Sequence, residues 1–253
     1  NIKRVISSIL AQSELLKLYP DHIKPLRCLF PLENFGARSA TSMRIAGLGY
    51  RALQSTIGAS GKSARVISQR DCEQISLLRG RSKFGAFEWN DAVIKDLDGF
   101  HAHLRTECGE ILERCGLLQF RELEHGVEVN LEDRSISAKV VVDTRGPWAN
   151  QALSEGDRPF WPIRFVKAFN LVVDRRLEDV AIALRSKNSS RQFFFVPRGD
   201  HTAIGTEYYD CDSPEATVSE IEIAAFLREI NSLTPELNLT GADVCTIDCG
   251  VLP

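Results

Sequence analysis

The chain has 253 residues, 43% of them hydrophobic and 26% charged, with a formal net charge of −3. That is enough apolar material to pack one large domain or two smaller ones, and the mixed, nearly balanced charge excludes an electrostatic nucleic-acid binder. No apolar run approaches the roughly 20 residues that span a bilayer, and no signal-peptide pattern is visible.

Seven scattered cysteines, an odd number, fit reduced thiols in a cytoplasmic protein rather than a disulfide framework. Cys245 and Cys249 are four apart and would share one face of a strand, but no Cys or His pair stands nearby in the sequence, so no metal site is expected. The chain opens on Asn1, has Met43 as its single methionine, and stops at Gly250–Pro253 directly after an apparent strand. Both ends look cut, and the expectation is an internal piece of a longer protein.

In chain order, Ile2, Val5, Ile6, Ile9 and Leu10 fall at helical spacing and lead through Leu15, Leu16 and Leu18 to a stop at Tyr19–Pro20. A loop is expected around Leu29–Leu32. A helix is expected over 42–53, a polar loop over 56–63, and a further helix over 65–78. Residues 84–89 read as extended and 96–108 as a helix with Phe100 and Leu104 inward; there His101 and His103 point to different faces. Three short strands follow, at 116–123, 127–131 and 139–142, separated by turn residues His125–Gly126 and Glu132–Arg134.

The segment Val140–Val141–Val142–Asp143–Thr144–Arg145–Gly146–Pro147–Trp148 is the most informative stretch. Its apolar run reads as a buried strand, Gly146 permits close backbone approach at the strand's end, and Pro147 suits the first turn of a following helix. Ligands bind at that edge of open α/β sheets, although an ordinary strand-to-helix turn has the same pattern. Extended runs then come at 164–173, 181–184, 193–196 and 202–206, with Arg198–Gly199–Asp200 as a hairpin turn. A helix over 218–230 is opened by Thr217 and Glu220 as a capping box, and 244–247 closes as a strand.

Two phosphate-binding patterns appear and both fit poorly. Thr56–Ser63, with Lys62, approximates a phosphate loop, but Thr56 replaces the first glycine and 53–56 is a poor buried strand. Gly47–Leu48–Gly49–Tyr50–Arg51–Ala52 approximates a dinucleotide turn, but it follows helical sequence, so glycines placed for close helix packing are the favoured reading. No Gly-x-Ser-x-Gly elbow or Cys/His nucleophile signature is present.

Several blocks, taken in order, resemble the FAD-dependent glycerol-3-phosphate dehydrogenase family within the wider glycine-oxidase/D-amino-acid-oxidase-like flavoproteins. These are Leu15–His22 with Pro31–Leu32, Phe87–Asp96, Gly126–Val129, Val140–Trp148, Ile163–Val173, Phe194–Pro197, Ala203–Thr206 and Gly250–Pro253. The resemblance implies a fold of α/β plus α+β character: part of an FAD-binding, Rossmann-like domain with an antiparallel-sheet substrate domain. The boundaries it suggests are 1–83 for a helical segment of the FAD or cap region, 84–155 for a partial FAD-binding domain, and 156–253 for the substrate domain. The Gly-rich motif that grips FAD in the family has no counterpart in this chain.

The resemblance further implies FAD as cofactor, held near Thr144, Arg145, Gly146, Pro147, Trp148, Gly250 and Val251. It places the substrate near Gly205, Thr206 and Leu252, and Lys167 and Asn170 at catalytic positions. The expected activity is oxidation of a polyol phosphate, or a related alcohol or amine, by hydride transfer to flavin. The expected partners are a small-molecule substrate and a quinone or other electron acceptor, in a cytoplasmic setting that allows peripheral association with the inner membrane. Four positions depart from the family pattern. Leu252 stands where the family has a phosphate-binding arginine, Asn170 where it has a histidine, and Asp143 and Arg145 where it has an asparagine and a small residue. Two alternatives stand beside this reading: an inactive or binding-only remnant of the same fold, and a nucleotide hydrolase using Lys62.

Overall fold

The computed structural model describes residues 2–56, 64–113, 115–148, 164–186 and 191–252. The elements in order are α1 (Ile2–Leu18), β1 (Ile23–Pro31), α2 (Ala40–Thr56), β2 (Ala64–Ile67), α3 (Gln69–Cys72), β3 (Ala86–Ile94), α4 (Leu97–Glu107), β4 (Leu117–Leu123), β5 (Gly126–Leu131), β6 (Ser135–Ala138), β7 (Phe165–Val173), β8 (Ala181–Arg185), β9 (Gln192–Arg198), β10 (His201–Cys211), α5 (Glu220–Leu233) and β11 (Val244–Leu252). Eight strands form one sheet in the order β11-β7-β10-β9-β8-β1-β3-β2, and β4-β5-β6 form a separate antiparallel sheet. The large sheet is mixed: β1 pairs antiparallel with β3 and parallel with β8. The fold is therefore α/β plus α+β in character, as expected. Two compact units arise, one of residues 1–103, 170–206 and 219–248, the other of 104–169, 207–218 and 249–253.

The core of the large sheet is built from aliphatic and aromatic side chains alternating along its strands. Leu29, Leu171, Val173, Ile182, Phe193, Phe195 and Ile204 are all at most 1% exposed. On α5, Phe226, Leu227, Ile230 and Leu233 are buried at the i, i+1, i+4, i+7 spacing of one helical face, and the Phe226 ring meets Phe193 at 5.3 Å. Ser219 caps this helix: its hydroxyl accepts from the Glu222 N–H, and the Glu222 carboxylate accepts from the Ser219 N–H. The capping box thus lies two residues beyond the expected Thr217–Glu220 pair.

Three local expectations are corrected. Residues 29–32 are not a loop: β1 runs through Leu29 and Phe30, because Cys28 and Leu29 are needed to pair with β8. Residues 65–78 are not one helix. The β-branched pair Val66–Ile67 lies in β2 against Phe87 and Ala86, and Ser68 then caps the single turn of α3. The third strand of the small sheet is Ser135–Ala138, which pairs with Val127–Asn130, rather than 139–142. Val140 and Val142 are 74% and 77% exposed, so the apolar run before the Gly-Pro-Trp turn is not a buried strand among the described residues.

The helices at 2–18 and 40–56, the hairpin turn at Gly199–Asp200 and the long strand at 165–173 agree with the sequence. Gly199 has φ +62° at the turn, a conformation L side chains rarely adopt. The Gly47-x-Gly49 pattern lies within α2, and it is a packing device at one of its two glycines. A Cβ on Gly47 would stand 2.7 Å from the Ala64 carbonyl oxygen, whereas one on Gly49 would meet nothing within 4 Å. Gly47→Ala should therefore destabilise the fold by about 1–3 kcal/mol as α2 is pushed off β2. Gly49→Ala should stabilise it by up to about 1 kcal/mol through helix propensity. Urea unfolding of both variants measures the contrast.

Candidate active site

The resemblance placed candidate residues on three neighbouring strands and one turn. On β7 and β10 the structure brings Asn170, Gly205 and Thr206 together. The Thr206 hydroxyl donates to the Asn170 side-chain carbonyl at 2.9 Å. A Cβ on Gly205 would overlap the same Asn170 oxygen, so glycine at 205 is what allows the amide to lie against β10. The Gly205–Thr206 peptide is cis. Asn170 and Thr206 are half-buried, which leaves a polar pair reachable from solvent on the β7–β10 strand pair.

Lys167 is placed differently. Along β7 the buried positions Lys167, Phe169, Leu171 and Val173 share one face, and Asn170 belongs to the other. The two expected catalytic residues are therefore not brought to one surface of the strand. The Lys167 ammonium donates to the Thr217 carbonyl at 2.7 Å and sits 5.6 Å from the centre of the Tyr209 ring, which in turn stacks on Phe169. A buried ammonium is tolerated there because a carbonyl and a ring face replace its water. Tyr209 and the buried carboxylate Glu207 lie on β10 and belong to no motif, and Thr217, expected only as part of a capping box, meets Lys167 through the tertiary structure alone. Gly250, Val251 and Leu252 lie on β11, which borders β7. A Cβ on Gly250 would meet nothing within 4 Å, and Leu252 is half exposed.

The turn at 143–148 is held by its own charges. The Arg145 guanidinium reaches back to Asp143, with Nε on Oδ1 at 2.9 Å and a terminal nitrogen on Oδ2 at 2.6 Å, and the Arg145 N–H donates to Oδ1 at 3.0 Å. These hydrogen bonds hold the Asp143 carboxyl below its usual pKa and push the Arg145 guanidinium higher. Arg145 is thus neither a bare phosphate ligand nor a loose loop side chain. Gly146 has φ +58° with open space at its Cβ position, and the Trp148 N–H donates to the Arg145 carbonyl at 3.3 Å. Thr144 and Pro147 belong to the same turn, and Trp148 is partly exposed.

Lys62 and most of its loop lie outside the described residues. Their surroundings oppose the hydrolase reading, because the loop follows α2 and precedes β2, the reverse of the strand–loop–helix order a phosphate loop requires. None of the cysteines is in a disulfide. No helix among the described residues is long and apolar enough to cross a membrane.

This arrangement of a large mixed sheet and a separate small antiparallel one is that of known flavoenzymes. The sequence pattern of the FAD dependent oxidoreductase family matches residues 32–253. The chain belongs to that family. A glycerol-3-phosphate dehydrogenase of Mycobacterium leprae is 31% identical over 197 residues, covering 70% of this chain and 32% of that protein. An alpha-glycerophosphate oxidase of Enterococcus casseliflavus is 26% identical over 272 residues, covering 98% of this chain and 44% of that protein. The chain thus spans under half the length of these relatives. Among solved structures, the glycerol-3-phosphate dehydrogenase of Bacillus halodurans, complexed with FAD, superposes with a TM-score of 0.70 at 19% identity over 98% of this chain and 47% of that one. Glycine oxidase of Geobacillus kaustophilus superposes with a TM-score of 0.61 at 16% identity, over 99% of this chain and 65% of that one. These two likenesses show a shared fold.

Two measurements probe the site's construction. Gly205→Ala should destabilise the protein by about 1–3 kcal/mol, and adding Asn170→Ala should recover part of the loss, a coupling that a thermal-unfolding double-mutant cycle reads directly. For the turn, a carboxyl whose folded pKa is depressed stabilises above its unfolded pKa of about 3.9 and loses that effect as pH falls through the folded value. Asp143→Asn should therefore speed exchange of the Trp148 amide relative to wild type at neutral pH. The ratio should approach one as the medium is acidified below about pH 4.

Proposed function

We propose that the protein is an FAD-dependent oxidoreductase that oxidises a secondary alcohol on a small polyol, its phosphate, or a related amine. Membership of the family and the relatives' names support the reaction class. The observation that carries the site assignment is the Asn170–Thr206 hydrogen bond over Gly205, on two strands whose sequences resemble the family's substrate strands.

Residues 143–148 and Gly250 suit contact with a flat, anionic dinucleotide. Gly146 and Gly250 leave open space where other residues would carry a Cβ, so the backbone there can approach a planar ring or a phosphate. Thr144, Arg145, Gly146, Pro147, Trp148, Gly250 and Val251 are the proposed cofactor contacts. When bound, the flavin supplies a hydride acceptor. Thr206 and Asn170 orient the substrate hydroxyl through their coupled donor and acceptor, and Gly205 leaves the room in which the Asn170 amide takes that position. Lys167, with its ammonium bonded to Thr217, contributes positive charge from the other face of β7 rather than a proton at the substrate. The electrons pass onward to a quinone or another acceptor.

Substrate choice follows from the two replaced positions. With Leu252 in place of a guanidinium fork, the site has less grip on a phosphate, and with Asn170 in place of an imidazole it lacks that proton acceptor. The protein at its full natural length, loaded with FAD, should be bleached anaerobically by a panel of unphosphorylated polyols or amines more readily than by glycerol 3-phosphate. Leu252→Arg should lower the KM for glycerol 3-phosphate by about tenfold, the scale of one charge-assisted phosphate contact. Asn170→His should raise kcat at neutral and higher pH. Flavin that binds but is bleached by no member of the panel would favour the binding-only remnant.

A further inference from the structure

Three side chains that lie far apart in the sequence meet at one end of the large sheet. Asp174 follows the last residue of β7, His201 opens β10, and Cys245 is the second residue of β11. His201 Nδ1 is 3.2 Å from Asp174 Oδ1 and 4.0 Å from Cys245 Sγ, and the three ligand atoms lie within 4.8 Å of one another. We propose that Asp174, His201 and Cys245 form a binding site for a single zinc-like divalent transition-metal ion, with solvent completing the coordination.

The distances suit a tetrahedral ion. With metal–nitrogen and metal–oxygen bonds near 2.0 Å and a metal–sulfur bond near 2.3 Å, tetrahedral edges are about 3.3 Å for nitrogen to oxygen and about 3.5 Å for nitrogen to sulfur. The nitrogen–oxygen separation already matches, and the sulfur must move closer to complete the site. The donor set of one thiolate, one imidazole and one carboxylate suits zinc and its borderline-soft neighbours and disfavours magnesium or calcium.

The three donor atoms converge on a single point, as ligands of one ion do. Both the carboxylate and the thiol face the same ring nitrogen, which offers either one proton or one lone pair. A hydrogen-bonded relay of thiol, imidazole and carboxylate would use both ring nitrogens. The two guanidinium groups next along the chain from Asp174 are engaged elsewhere. The Arg175 guanidinium donates to the Leu237 carbonyl at 2.8 Å, and Arg176 pairs with Asp179 at 2.8 Å.

The frame is firm. The buried Thr202 hydroxyl donates to the Arg175 carbonyl at 3.0 Å and accepts from the Leu177 N–H at 2.9 Å, and the Asp174 N–H donates to the Asp243 carbonyl at 2.9 Å. These bonds hold the segment after β7 against the starts of β10 and β11. On binding, Cys245 releases its thiol proton to solvent and gives up its hydrogen bond to the Val172 carbonyl, at 3.3 Å, for a sulfur–metal bond. Asp174 and His201 remain open to solvent, with side-chain exposures of 71% and 44%, which leaves the fourth position to water.

Cobalt(II) titration of the reduced protein tests the assignment. One equivalent should produce a thiolate-to-cobalt charge-transfer band with the intense visible bands of a tetrahedral ion, and zinc should displace it. Cys245→Ser and His201→Gln should each weaken zinc binding by at least about tenfold, the scale seen when the surroundings of a metal site are damaged. Cys249→Ser, four residues along the same strand, should leave it unchanged. Circular dichroism of each variant checks the fold, and Asp174→Asn, at an exposed position, provides a third ligand deletion. A purely octahedral cobalt spectrum, or zinc affinity in the Cys245 and His201 variants equal to wild type, would overturn the site.

Discussion

The large sheet depends on a parallel seam between β1 and β8. Cys28 pairs with Ala181 and Leu29 with Ile182, and all four residues are at most 4% exposed. Residues more than a hundred and fifty positions apart are joined there by apolar burial, with Leu26, Trp89, Val93 and Val196 packed around the seam. Burial pushes the Cys28 thiol up to about 12, so the sulfur acts as a small apolar group rather than a nucleophile. From β8 the sheet continues by antiparallel pairing through β9 to β10, and β10 borders β7. Asn170 and Thr206, and the cluster of Asp174, His201 and Cys245, owe their meeting to that succession.

Charge is organised with the same economy on the other side of the seam. Glu88, on the central strand of the β1–β3–β2 group, is 4% exposed yet ionisable. It accepts from Arg27 on β1 at 2.7 Å and from Arg65 on β2 at 3.1 Å. Two guanidinium groups whose own side chains reach solvent thereby compensate one buried carboxylate, which would otherwise be costly to desolvate. The Asp143–Arg145 pair does locally what this triad does across strands, closing a turn whose backbone includes a left-handed glycine. In both cases the guanidinium groups are engaged by a carboxylate of the chain.

The functional reading rests on family membership for the reaction class and on the β7–β10 geometry for the site. The departures from the family pattern are informative because each has a structural counterpart. Asn170 is accommodated by glycine at 205 and bonded to Thr206, so it is a built feature of the strand pair rather than a vacancy left by a lost imidazole. Leu252, half exposed on β11, presents an aliphatic surface where the resemblance leads one to expect a phosphate grip.

Much of this was legible in the residues alone. Helical periodicity located α1, α2 and α5, the Arg-Gly-Asp turn located the β9–β10 hairpin, and the ordered motifs identified the flavoprotein family, because these signals are local and chemical. What the sequence could not reveal was pairing at a distance. The strand at 23–31 was hidden because its apolar residues are followed by a proline, and β2 because Val66 and Ile67 also fit a helix; both are strands because β3 and β8 supply partners. Val140–Val142 failed in the opposite sense: an apolar run is only a strand when a neighbour pairs with it, and none of the described strands does. The opposition of Lys167 and Asn170 on β7 follows from the two-residue period once the strand's register is known. The convergence of Asp174, His201 and Cys245 required the tertiary structure, since only the side-by-side order of β11, β7 and β10 carries three separate stretches of chain to one point.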